Sequence, residues 1–113
     1  MLLLKPLESS IRRSVLNYAK KKYGALCKKL STQGPMGSTG WPDDMILGWR
    51  KPDRNTALQQ GGSVIFFIEF KRLGGKLTPL QQHMMSEIGS RGFHHYVVST
   101  VKDGKKVVDK ELK

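Results

Sequence analysis

The chain has 113 residues, 38% of them hydrophobic and 8% aromatic, which suits one globular domain with a single core and excludes two. Twenty Lys and Arg against nine Asp and Glu leave a net charge of +11, so polyanions are the natural partners: nucleic acid first, an anionic membrane surface second. No stretch approaches the ~20 apolar residues of a transmembrane helix, "MLLLKP" is too short for a signal core, and a lone Cys27 allows no internal disulfide, so the expected setting is a reducing cytosol.

The first predicted element is a helix. Leu7, Ile11, Val15, Tyr18, Ala19 and the stem of Lys22 recur at amphipathic spacing. Pro6 and Glu8 suit its first turn, Lys20 to Lys22 its last, and Gly24 its stop. "ALCKKL" (25–30) reads as a short strand, 31–42 as a loop, "DMILGWR" (44–50) as a strand and 51–62 as a long turn. "SVIFFIEFK" (63–71) is the strongest strand, apolar on both faces from Val64 to Ile68 as a central strand must be. A second helix follows Thr78, where Thr78-Pro79-Leu80-Gln81 has the form of a capping box; Leu80, Met84, Met85 and Ile88 give it an apolar side. "HYVVSTV" (95–101) is another strand, and "KDGKKVVDKELK" reads as a turn followed by a charged tail. The order α-β-β-β-α-β implies a mixed sheet flanked by helices, an α/β fold of the α+β mixed-sheet kind.

The chemistry gathers at the end of the central strand. Alternation turns Glu69 and Lys71 to one face, where an unpaired charge beside an apolar strand is costly. Mutual pairing is one remedy and a divalent cation is another. Asp43 or Asp44, directly after Pro42, supplies a second carboxylate at the mouth of the neighbouring strand. Antiparallel pairing of the two strands sets Asp43 beside Glu69. Two hard oxygen ligands suit Mg²⁺ or Mn²⁺, and Lys71 beside them can orient or deprotonate a water. An isolated Glu-x-Lys pair is more often a surface ion pair.

Together, Gly40-x-Pro42-Asp43, Glu69-x-Lys71 and Gly74-Gly75-Lys76-Leu77-Thr78-Pro79-Leu80-Gln81 resemble the VRR-NUC (virus-type replication-repair nuclease) domain of the PD-(D/E)xK nuclease superfamily. The resemblance implies a restriction-endonuclease-like α-β-β-β-α-β core, with residues 1–113 as one nuclease domain. It implies Asp43, Glu69 and the Phe70 carbonyl as metal ligands and Lys71 as the residue that holds or activates the water. Gln81 would position the site, and Glu8 matches an acidic residue on the family's first helix. The implied activity is Mg²⁺- or Mn²⁺-dependent endonucleolytic hydrolysis of DNA. Its implied substrate is branched DNA such as a four-way (Holliday) junction, cut by a homodimer. Stand-alone relatives are largely phage-encoded, which implies the cytosol of a bacterial host or of the bacterium itself. The competing reading is a non-catalytic basic DNA-binding module on the same fold.

Other residues have simpler explanations. Gln81 can serve the capping box or the site, and is expected to fill one role at a time. Asp44 is expected to turn away from the site if Asp43 faces it. Trp41 is expected to pack beneath its loop, and His83 to face solvent. His94 and His95 alternate, so both cannot enter one site. "GGK" lacks the rest of a phosphate loop; its expected work is to swing the chain off the strand, with Arg72 and Lys76 offering phosphate contacts.

Overall fold

The structure is a computed structural model and describes residues 7–30, 40–52 and 61–113. The opening six residues, most of the expected 31–42 loop and most of the expected 51–62 turn lie outside the described residues. Seven elements follow in order: α1 (Glu8–Tyr23), β1 (Leu26–Lys29), β2 (Asp44–Arg50), β3 (Gly62–Phe70), α2 (Pro79–Ser90), β4 (His94–Val98) and α3 (Val101–Leu112). The strands form one sheet in the order β1-β2-β3-β4. β1, β2 and β3 pair antiparallel, whereas β4 joins β3 in parallel through α2.

The apolar run in β3 is central as expected, and Phe66 to Phe70 are all buried. Its alternate residues Phe66, Ile68 and Phe70 enter a core with Ile46, Val98, Ile11, Val15, Ala19, Val108 and Leu112, which puts α1 and α3 on one face of the sheet. Phe67 on the opposite face lines a pocket with Met84 and Ile88 of α2, so the sheet is sandwiched between helices. Leu7 stays exposed, while Leu16, outside the expected stripe, is buried.

The C-terminal segment corrects the expected turn, strand end and tail. Val101 begins a helix, not the last residue of a strand. Thr100 caps it, its hydroxyl oxygen accepting from the Asp103 amide at 3.1 Å. Gly104 is buried mid-helix, where an added Cβ would lie 2.3 Å from Val15 Cγ2. The glycine that suggests a turn in the sequence lets α3 pack tightly against Val15 of α1. Asp109 secures the same seam, accepting hydrogen bonds from Tyr18 and Tyr23 and pairing with Lys22 at 3.2 Å.

Candidate active site

β2 enters the sheet where β3 leaves it. The pairing Asp44↔Ile68 is the first of the β2–β3 ladder, and Asp43 stands one residue before it, level with Glu69. Asp43 Oδ2 accepts from the Phe70 backbone amide at 2.7 Å, so its side chain is fixed against the peptide that follows Glu69. Gly40 holds the approach to this point with a φ of +78°; a Cβ there would sit 2.4 Å from the Leu80 carbonyl oxygen at the start of α2. The Gly-x-Pro-Asp spacing thus seats the loop against α2 and delivers Asp43 to the strand end.

Glu69 is only 3% exposed. Its Oε1 accepts from Gln81 Nε2 at 2.9 Å and lies 3.7 Å from Lys71 Nζ. Its Oε2 is buried and, among the described residues, accepts no hydrogen bond. Burial, and then the charge of Asp43, push the Glu69 carboxyl up to about 7, while Lys71 and the Asp43 backbone amide pull the other way.

Gln81 caps α2 and reaches Glu69 at the same time, contrary to the expectation that it would serve one or the other. Its Oε1 accepts from the Thr78 backbone amide at 2.9 Å, completing the capping box, while its Nε2 reaches Glu69. An amide has an acceptor and a donor end, and here each is used.

Glu8 lies across a cleft of about 430 Å³ lined also by Arg12, Lys29, Asp43, Phe70 and Arg72. Its Oε1 accepts from the Arg72 backbone amide at 3.2 Å, tying α1 to the chain leaving β3. Arg72 therefore borders the cleft; Lys76 is exposed and does not line it. Asp44 is wholly buried, held by Arg12 through Nε at 2.7 Å and Nη2 at 2.8 Å. Sequence reasoning passed over Arg12. The available signal was its position one turn after Glu8, together with a buried aspartate in need of a cation. Trp41 is exposed beside Phe67 and borders the pocket that α2 makes over the sheet; the loop it is expected to pack beneath lies mostly outside the described residues. His83 is exposed and lies 3.7 Å from Glu87.

Among the described residues no three His, Cys, Asp or Glu side chains form a ready-made metal cage. The donor chemistry still fits a hard cation. Asp43 and Glu69 are neighbouring carboxylates, one with a buried oxygen lacking any hydrogen bond, and the Phe70 carbonyl belongs to the peptide next to them.

A mixed sheet with paired acids and a lysine at the open end of its central strands defines a nuclease-type domain of the restriction-endonuclease-like class. The chain belongs to the VRR-NUC domain family, whose match covers residues 5–102. A solved structure described as a VRR_NUC domain is similar at 27% identity and a TM-score of 0.58, over 88% of this chain and 95% of that one. No curated protein matches. Domains of this family are generally nucleases that process DNA and depend on metal, and no helix among the described residues is long and apolar enough to cross a membrane.

Proposed function

We propose that this chain, as one domain over residues 1–113, is an endonuclease that hydrolyses phosphodiester bonds in branched DNA. One observation carries the reading: Asp43, Glu69 and Lys71 converge at one strand end, where Glu69 keeps a buried oxygen with no hydrogen bond among the described residues. Asp43, Glu69 and the Phe70 carbonyl would hold Mg²⁺ or Mn²⁺. Bound there, the cation supplies Lewis-acid polarisation of the phosphate and a lowered pKa for a water.

The chain's own groups do the rest. Lys71 Nζ, beside Glu69, orients the attacking water and offers positive charge to the phosphoryl oxygens as negative charge builds on them. Gln81 fixes the Glu69 carboxylate from the first turn of α2. Water oxygen bonds to phosphorus and gives up a proton to solvent, the bond from phosphorus to one deoxyribose oxygen breaks, and that oxygen takes up a proton from solvent. Glu8 braces the cleft by holding the Arg72 backbone. Arg72 and Lys76 contact flanking phosphates.

A homodimer would give the two symmetric cuts that a four-way junction requires. An apolar area supports this reading: Leu26, Trp49 and Ile65 are exposed, and Leu26 and Ile65 lie in one cross-strand row with Leu47 on the face opposite α1 and α3. A lone Cys27 suits the cytosol of a bacterium or phage-infected host.

The test incubates the protein with Mg²⁺ or Mn²⁺ and a panel of duplex, single-stranded, flap and four-way DNA, beside Glu69→Gln. Wild type should cut branched DNA, whereas the variant should bind it uncut. Absence of metal-dependent cleavage on every substrate would leave the basic DNA-binding module as the correct reading.

A further inference from the structure

The cleft that carries Asp43 also carries a cation with unused donors. Arg12 stands one turn after Glu8 on α1 and spends two N–H groups on Asp44, in the parallel fork geometry that suits a carboxylate. Asp44 is 0% exposed, so this pair fixes the plane of the guanidinium instead of leaving it to solvent. Among the described residues Nη1 bonds nothing, and the Arg12 side chain remains 33% exposed along the cleft with Asp43, Lys29 and Arg72.

We propose that Arg12 is a phosphate-contacting residue of this site, its Nη1 edge donating to a non-bridging oxygen of the phosphate held beside Asp43 and Glu69, and that Asp44 is the positioning residue that aims it. The inference rests on the nuclease reading. An exposed arginine must give up side-chain freedom to grip a phosphate, and Arg12 has already given it up to Asp44. Lys29 is exposed and has no such brace among the described residues. A preset donor edge matters most where charge grows on the phosphoryl oxygens, so its effect should fall on turnover more than on binding.

The alternative is a simple tether between α1 and β2. Truncating Arg12 alone would strand Asp44 in the interior and could unfold the chain. The deciding variant is therefore Arg12→Met with Asp44→Leu, which exchanges the pair for apolar side chains, a change that buried ion pairs often tolerate. We expect a melting temperature near that of wild type and a kcat on branched DNA lower by about 10²-fold or more. Placed in the Glu69→Gln background, the double change should reduce the slope of log K against log salt by ~0.9, as one lost phosphate contact requires. Wild-type turnover and an unchanged slope would overturn the proposal.

If the double variant does not fold, Arg12→Lys serves. It keeps a charge opposite Asp44 but cannot hold the fork and present a second edge, so turnover should fall about tenfold, and wild-type turnover would overturn the proposal. If wild type cleaves nothing, the nuclease reading fails by itself, and the salt slope alone decides whether Arg12 touches phosphate.

Discussion

Glu69 and Glu111 are both carboxylates sealed from water, 3% and 2% exposed, and their surroundings are opposite. Glu111, near the end of α3, meets His94 Nδ1 at 2.6 Å, the Tyr96 hydroxyl, and Arg50 Nη2 at 3.2 Å. Arg50 also donates to the Glu111 backbone carbonyl at 3.0 Å. Both carboxylate oxygens are answered, and two strands, β2 and β4, are tied to α3. Glu69 has the Gln81 side-chain amide and Lys71 on one oxygen and, among the described residues, no hydrogen bond on the other. Asp44, the third buried acid, is answered by Arg12. A carboxylate buried for stability is closed by its neighbours, so the one left open marks the place where something else binds.

The contrast can be broken at each end. The largest effect is expected for Glu69→Gln, which should lower cleavage by at least about 10²–10³-fold. The metal-free variant should melt above wild type, because the buried, incompletely partnered carboxylate is gone. Lys71→Met should cost about 10²-fold in kcat while DNA affinity, read by anisotropy, changes little. Glu111→Ala should reverse the pattern. Urea denaturation should show a loss of about 1–3 kcal/mol from stranding Arg50 and Tyr96, while turnover per folded molecule is retained.

The site was more legible in the sequence than the seam that supports it. The capping box of Thr78 and Gln81 is a local signal, and it marks the start of α2. The hairpin follows from strand periodicity, and it sets Asp43 level with Glu69. Arg12 and Asp44 meet across 32 residues, and nothing in the spacing of either names the other. α3 was hidden differently. Lys-Asp-Gly is a turn signal on local rules, and packing against Val15 and Val98 explains a glycine inside that helix.

Two smaller effects sharpen this part of the contrast. Gly104→Val should lower stability by about 1–3 kcal/mol through overpacking against Val15, seen as a lower urea midpoint with intact chemistry per folded molecule. Asp109 gives a pH signature. The Tyr23 hydroxyl foremost, with Tyr18 and Lys22, holds its carboxyl below the ordinary value. Its contribution is therefore present above the unfolded-state pKa of about 3.9 and is lost as pH falls through the lower folded value. Asp109→Asn should melt below wild type at neutral pH, and the gap should close in acid.

Manganese binding, followed by the loss of the free-ion electron paramagnetic resonance signal, tests the central claim most directly. Wild type should take up Mn²⁺, Glu69→Gln should bind it far more weakly, and Glu111→Gln, if folded, should match wild type. Equal uptake by wild type and Glu69→Gln, or none by wild type, would contradict the account.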